Sequence, residues 1–505
     1  MEIIVKQGSL QQEETELLVV NLFEGVIEPS GALKAVDEAL GGLISQIIAA
    51  GDFKGKIGET HVLYTNGALP AKRVLVTGLG KEEDFKLSRA RQAAAAAAKR
   101  VRALGLIGFS TVVHGAGRGG LSVGDAAQAL VEGSLLGAYR FNSYKRDGGD
   151  NDKPEIVAMA VLEADAEKLA AVGEGARAGQ IVGEQANWAR DLVNEPANYL
   201  TPRELARRIR ERAEAVGLKV DVLGEKQMAE LGAGSFLGIA QGSTEEGQFI
   251  VLEHIPQGVE LATVPTVVLV GKAITFDTGG ISIKPTEGMW RMKDDMGGGA
   301  ATAAALLAAA SLNLPVHAVG LIPSTENMPA GNAIKPSDVV KAINGKTVEI
   351  ISTDAEGRQV LADALCYAAR YNPTAVVDIA TLTGSMVVAL GPEIAGVFCD
   401  DADLRDRLLA ASELTGEALW PMPIWKPYRK LIDTDVADMK NSGGRWGGSI
   451  IAALFLREFA EGYPWAHLDI AGPVWQEESN PYLARGANGF GARLLFELLK
   501  GYCTP

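Results

Sequence analysis

The sequence predicts an α/β protein of two domains, a smaller N-terminal α/β unit over residues 1–165 and a larger mixed-sheet α/β unit over residues 166–505. Three observations carry this. At 505 residues the chain exceeds the ~250–300 residues at which single cores stop growing. Strand-like runs rich in Val, Ile and Leu alternate with longer segments of helical period, the pattern of a sheet covered by helices. Between Ser143 and Pro154 the chain reads SYKRDGGDNDKP, the clearest linker-like punctuation it contains: polar, glycine-bearing and proline-terminated.

In the first domain, Glu2–Val5 and Leu17–Leu22 read as strands and Ala32–Ala49 as one helix. His61–Tyr64 and Arg73–Thr77 read as strands, Ser88–Ala103 as a helix and Ile107–His114 as a strand. Ser88–Ala103 holds six consecutive alanines, the residue of highest helix propensity. Gly78–Gly80 is followed by no full glycine fingerprint, so it reads as a strand-to-helix loop and not as a nucleotide-binding turn. Glu155–Leu162 reads as one more strand and is assigned to the first domain. The boundary therefore falls in the helical pattern that begins near Asp165.

From Asp165 to Trp188 a helical pattern with few breakers leads into RDLVNEP. Pro202–Val216 then reads as a helix, Leu218–Leu223 as a strand, Glu225–Leu231 as a helix, and Phe249–Glu253 and Thr266–Val270 as apolar strands. The last of these delivers Gly271, Lys272 and, a few residues on, Asp277. In sheets of this kind ligands gather at the carboxyl ends of the strands, and Lys272 and Asp277 are expected near such an end. Gly297–Ala310, GGGAATAAALLAAA, reads as a helix of small residues. It lacks the Gly-Lys-Ser/Thr ending of a phosphate loop, which leaves close helix packing as its reading.

Composition narrows the function classes. Hydrophobic residues make up 47% and charged residues 22% of the chain, as in a globular and not a disordered protein. MEIIVKQGSL at the start has no basic segment followed by an apolar run, and no uninterrupted apolar stretch reaches about 18 residues. A cytoplasmic protein without a membrane span is expected. The three cysteines, Cys366, Cys399 and Cys503, are widely spaced and odd in number, which fits free thiols in a reducing compartment. The five histidines show no pair at ligand spacing and read as structural. A net charge of −15 opposes nucleic-acid binding through a broad basic surface but leaves local basic patches open.

Chemistry concentrates in three segments: VGKAITFDTGGISIKP at Val270–Pro285, MKDDMGGG at Met292–Gly299 and ISTDAEGRQVLAD at Ile351–Asp363. Together they supply Lys272, Asp277, Lys284, Asp294, Asp295, Asp354, Glu356 and Arg358. Acids converging in a partly dry site repel one another unless ion pairs, raised pKa values or bound divalent metal relieve them. Metal is the simplest of these answers, and oxygen ligands favour hard or borderline dications such as Mg, Mn or Zn. A solvated acidic loop set with local Lys and Arg partners is the alternative.

These segments resemble the signature of the leucyl aminopeptidase family of dinuclear-metal exopeptidases. RDLVNEPANYLTP at Arg190–Pro202, ATLTGS at Ala380–Ser385, ADMKNSGGRWGG at Ala437–Gly448, HLDIAGP at His467–Pro473 and GANGFGARLL at Gly486–Leu495 extend the resemblance, in the family's order, over roughly residues 180–500. The resemblance implies a macro-like N-terminal domain without catalytic residues and a C-terminal catalytic domain. It also implies two divalent ions per subunit, Mn or Zn with Mg as a further candidate, on Lys272, Asp277, Asp295, Asp354 and Glu356. Ligation by Lys272 requires a neutral amine, which nearby dications favour. Lys284 would donate to the scissile carbonyl oxygen, and Arg358 would hold bicarbonate as the general base. Met292, Thr381 and Gly384 would line the pocket for the first side chain, with room for Leu or Met. Short peptides as substrates and a homohexamer are implied as well.

Three positions depart from the family pattern: Ala273 for Gly, Thr278 for Ser and Ser352 for Asn. None removes a ligand, and altered specificity or rate is expected more than inactivity. Trp446 stands where the family often has Pro. A different two-metal hydrolase, such as a phosphoesterase, would need phosphate contacts beyond Lys284 and Arg358, and no such cluster is present. A binding or regulatory role, as in family members that also bind DNA, would need a basic groove.

Overall fold

The computed structural model describes residues 1–115, 120–146, 153–480 and 482–503. Contacts divide the chain into two compact units, Met1–Asn187 with Glu477–Arg485, and Trp188–Gln476 with Gly486–Pro505. The division lies inside one continuous helix, Leu169–Asn194, later than the position near Asp165 expected from the sequence. Residues 147–152 of the linker-like stretch lie outside the described residues.

The first unit is a three-layer α/β sandwich. Its elements are β1 (Glu2–Gln7), β2 (Leu18–Leu22), α1 (Gly31–Ala39), α2 (Leu43–Ala50), β3 (Thr60–Tyr64), β4 (Arg73–Gly78), α3 (Leu87–Ala103), β5 (Gly108–Val112), α4 (Val123–Ala138) and β6 (Ala158–Glu163), with α5 (Leu169–Asn194) following. The sheet runs β1-β6-β5-β2-β4-β3, parallel except for β3. Successive residues of β2 point to opposite faces. Leu17 and Val19 pack with α3 and α4, whereas Leu18, Val20 and Leu22 pack with α1 and α2. The single helix expected over Ala32–Ala49 is two helices. Gly41 and Gly42 both take positive φ, a conformation that ends a helix and that a Cβ disfavours.

The second unit carries α6 (Pro202–Ala215), β7 (Lys219–Gly224), α7 (Glu225–Glu230), α8 (Gly234–Ala240), β8 (Gln248–His254), β9 (Thr266–Gly271), β10 (Ala273–Asp277), α9 (Gly297–Ser311) and β11 (His317–Asn327). There follow β12 (Val339–Lys341), β13 (Thr347–Glu349), α10 (Glu356–Ala368), β14 (Ala375–Ala380), α11 (Gly384–Leu390), β15 (Ala395–Cys399), α12 (Ala402–Thr415), β16 (Leu419–Met422), β17 (Met439–Lys440), α13 (Gly448–Arg457), β18 (Trp465–Asp469), β19 (Trp475–Gln476), β20 (Gly486–Ala487) and α14 (Ala492–Gly501). The main sheet has nine strands in the order β16-β15-β18-β14-β9-β11-β8-β7, with β10 beside β11. Its centre, β18-β14-β9-β11, is parallel, and β8 and β15 join it antiparallel. The central strands β9 and β14 are buried along their length apart from Thr266, as fits strands covered on both faces. A core of Phe236, Phe249, Val268, Leu321, Val360, Leu365 and Phe455 fills one side of this sheet.

Helix α9 is buried almost throughout, and its small residues let it lie against the strands. A Cβ on Gly298 would stand 2.0 Å from the carbonyl oxygen of Ile379 and 3.1 Å from the amide nitrogen of Lys272, far inside contact distance. The packing reading of GGGAATAAALLAAA thus has a direct cause. Among the described residues no helix is long and apolar enough to cross a membrane.

Candidate active site

The carboxyl ends of β9, β10, β11, β14 and β18 meet the amino ends of α9 and α10, and the predicted residues gather there. Lys272 directly follows β9, with its amide bonded to Ile379 of β14 at 3.1 Å. Asp277 closes β10 and Asn327 closes β11. Asp295 lies just before α9 and Glu356 is the first residue of α10, where the positive end of a helix favours a carboxylate.

Two lysines knit the acids together. Lys272 Nζ lies 2.7 Å from Asp295 Oδ1, 2.8 Å from Glu356 Oε1 and 2.9 Å from the carbonyl oxygen of Thr381. Lys284 Nζ lies 2.7 Å from Asp277 Oδ2 and 2.5 Å from Asp354 Oδ1. Ligand oxygens of Asp277, Asp354 and Glu356 come within 4.8 Å of one another. Lys272, Asp277, Asp295 and Glu356 are each at most 5% exposed, whereas the Asp354 side chain is 39% exposed at the mouth.

Thr381 Oγ donates to Asp295 Oδ1 at 2.7 Å. Arg358, also buried, donates from Nη1 to the carbonyl oxygen of Asn441 at 2.8 Å. All eleven residues singled out from the sequence, Asp294, Met292 and Gly384 included, line one cavity of about 370 Å³. None of the five histidines lines it. A larger cavity of about 830 Å³ opens in the first unit, but its walls are mostly aliphatic, with Glu163 as the carboxylate in its lining.

The electrostatics are those of charges forced together. Burial, and then the Glu356 charge, push Asp277 up to about 6 against the pull of the two lysines. Burial likewise raises Asp295 well above the ordinary carboxylate range and raises Asp354. Burial also opposes ionisation of Glu356, but the Lys272 and Lys284 charges outweigh it and hold that group below its ordinary value. For both lysines burial is overcome by the surrounding acids, and their pKa values rise. Burial lowers Arg358 to about 10.

Four carboxylates facing two ammonium groups leave an excess of negative charge. Asp295 Oδ2 and Glu356 Oε2 are buried with no hydrogen-bond partner among the described residues, which is costly for a carboxylate oxygen. Orphaned buried oxygens beside crowded acids fit divalent cations.

Supporting residues escaped the sequence reading. Asn327 Nδ2 donates to Asp277 Oδ1 at 2.8 Å and to the carbonyl oxygen of Thr353 at 3.0 Å. The carboxamide oxygen of Asn441 accepts from the amides of Ile351 and Ser352. Asp469, at the end of β18, accepts from Thr383 Oγ at 2.6 Å and from the amides of Leu382 and Ala471. Asn441 and Asp469 sit inside recognised segments that gave them no role, and Asn327 sits in none. Of the three departures, Thr278 keeps its hydroxyl at work, donating to the carbonyl oxygen of Asn327 at 2.7 Å. Ala273 is extended in β10, where a Cβ is ordinary.

Acids in need of cations at the carboxyl ends of parallel strands are the equipment of a metal-dependent hydrolase. The catalytic-domain model of the cytosol aminopeptidase family matches residues 187–496, and that family's N-terminal-domain model matches residues 19–148. A probable cytosol aminopeptidase of Roseiflexus castenholzii is 44% identical over 503 residues, covering 99% of both chains. Another, from Geotalea uraniireducens, is 44% identical over 92% of this chain and 93% of its own.

Among solved structures, the bottromycin maturation enzyme BotP in complex with Mn matches with a TM-score of 0.84 at 35% identity, covering 97% of this chain and 99% of its own. A mutant of tomato leucine aminopeptidase matches with a TM-score of 0.87 at 31% identity, covering 99% and 96%. The chain belongs to the cytosol aminopeptidase family: it is a peptide hydrolase that acts on N-terminal residues with the help of metal.

Proposed function

We propose that the cavity holds two divalent ions and releases N-terminal residues, Leu and Met foremost, from short peptides. The observation that carries this reading is the pair of pinned lysines among four acids with two orphaned carboxylate oxygens. Lys272, Asp277, Asp295, Asp354 and Glu356 would hold the ions, Mn or Zn and, as a third choice, Mg. When bound, the ions supply a water acidified to a nucleophile near neutral pH.

The chain's own groups do the rest. Lys272 ligates as the neutral amine, so its proton leaves as the site fills. Lys284 turns its ammonium from Asp277 and Asp354 toward the scissile carbonyl oxygen and donates to it as negative charge develops, a role worth about 3 kcal/mol for one well-placed donor. Arg358 holds bicarbonate beside the attacking water as a proton acceptor. Met292, Thr381 and Gly384 receive the first side chain, and at Gly384 a Cβ would meet no heavy atom within 4 Å, room that suits Leu or Met. The substrate's free α-amino group, which only an N-terminal residue offers, would also bind at the ions, and this restricts cleavage to chain ends. A cytoplasmic homohexamer completes the reading.

The test is release of p-nitroaniline from leucyl-p-nitroanilide with and without Mn, alongside Lys272→Ala, Glu356→Ala and the N-acetylated substrate. Activity that rises with Mn and is lost in both variants and on acetylation supports the reading. Cleavage of the acetylated substrate at an equal rate overturns it. Sedimentation of the purified protein reports the hexamer.

A further inference from the structure

Five cationic side chains line the candidate active-site cavity: Lys272, Lys284, Arg291, Arg358 and Arg445. Four have anchors within the chain. The lysines are held by the acids described above, Arg291 Nε lies 2.7 Å from Asp294 Oδ2, and Arg358 donates to Asn441. Arg445 is different. Among the described residues no acid or carbonyl pairs with its guanidinium, which instead lies with its carbon 5.4 Å from the centroid of the Trp446 ring.

The loop that carries it turns through Gly444 and Gly447, at φ +93 and +65, backbone that glycine adopts without strain. This turn puts an exposed arginine on the wall of the cavity. Trp446, 80% exposed, gives the guanidinium a flat face to rest on, which limits the side-chain freedom lost when a ligand is gripped.

The cavity is therefore polar from end to end. Its buried floor of carboxylates is where the ions would be held, and its rim offers a cation that has no counter-charge among the described residues. A short peptide whose free amino end enters toward the ion-binding floor of Lys272, Asp277, Asp295 and Glu356 runs outward past the rim, and a carboxylate at its other end meets that cation. We propose that Arg445 is a specificity determinant that binds the free α-carboxylate of the residue following the scissile bond, which makes dipeptides the preferred class of substrate. This rests on the aminopeptidase reading above and goes beyond it by naming what recognises the leaving residue. A planar, bidentate pair between guanidinium and carboxylate is the contact expected.

The experiment compares Leu-Gly, Leu-Gly-amide and Leu-Gly-Gly as substrates of the Mn-loaded enzyme and of Arg445→Gln and Arg445→Lys. In the wild type, KM for Leu-Gly should be about tenfold below that for the amide, the worth of one partly exposed charge-assisted contact. Leu-Gly-Gly, whose carboxylate lies one residue further out, should fall on the side of the amide. Arg445→Gln should bring the ratio of Leu-Gly to Leu-Gly-amide close to one, and Arg445→Lys should restore part of it.

A wild type that treats Leu-Gly and its amide alike overturns the proposal, as does an Arg445→Gln protein that keeps the full ratio. The wild-type comparison decides even if a variant fails to fold. A wild type that cleaves no Leu substrate at all overturns the aminopeptidase reading itself, a result plainly distinct from cleavage without discrimination.

Discussion

A Cβ built on Gly357 would lie 2.7 Å from the Nζ of Lys272 and 2.7 Å from its Cε. The absent side chain is the room in which the lysine stands. That end of Lys272 cannot move aside cheaply, because three bonds of 2.7–2.9 Å fix it. Gly357 lies in the first turn of α10, where alanine is favoured over glycine by about 1 kcal/mol, and this offsets part of the ~1–3 kcal/mol of overpacking.

Gly357→Ala should therefore change folding stability little. It should drive the Lys272 ammonium off Asp295 and Glu356 and lower kcat/KM by about a hundredfold or more, in line with the cost of misplaced catalytic groups. Metal content per subunit and a thermal melt, measured on the same sample, separate the two effects. A variant with normal metal content and full activity contradicts the account.

Asn327 tests the support beneath the acids. Its carboxamide joins Asp277 to the backbone at Thr353, and its carbonyl takes the Thr278 hydroxyl. Asn327→Ala keeps that carbonyl but leaves Asp277 one donor poorer. Partners of metal ligands typically contribute ten- to a hundredfold to metal affinity or activity, so a loss of about that size is expected in a Mn titration. An unchanged titration would mean that the Gly279 amide and Lys284 orient Asp277 without Asn327.

Much of this site was legible in the sequence because its parts are short and contiguous. Asp354 and Glu356 are two residues apart, and Lys272 and Asp277 bracket a single strand. What supports them was not legible, because it arises only when distant strands align. Asn327 reaches Asp277 across the parallel pairing of β10 with β11, and Asp469 reaches the Leu382–Thr383 turn through the pairing of β14 with β18. The split of Ala32–Ala49 was missed for a local reason: apolar periodicity continues through Gly41 and Gly42, while the backbone does not. Arg445 sits inside a recognised segment that gave it no role, and only the cavity gives it a direction.

Metal should stabilise the fold as well as complete the site. Each ion that binds the folded chain alone adds stability by mass action, about 2.7 kcal/mol at a free concentration a hundred times its dissociation constant. Melting temperature should rise with Mn and fall with EDTA. Glu356→Ala, which removes one of the acids and an orphaned oxygen, should blunt the rise. A melting curve indifferent to both Mn and EDTA would leave the four acids without the cation that their crowding demands.

His114 makes the first unit acid-sensitive. The ring is fully buried, its Nδ1 has no partner among the described residues, and Nε2 is 3.4 Å from the Thr111 hydroxyl. Burial disfavours the charged form and brings the pKa down to about 4. The unfolded chain, with an ordinary value near 6.5, then binds the proton more readily than the folded one. Stability is complete above about pH 6.5, declines as pH falls and is no longer affected below about 4. At pH 5 the loss should be about 2 kcal/mol. Urea unfolding at pH 7 and pH 5, followed by a probe in the first unit, should show this loss in the wild type and a smaller one in His114→Gln. Equal losses in both proteins would place the acid sensitivity elsewhere.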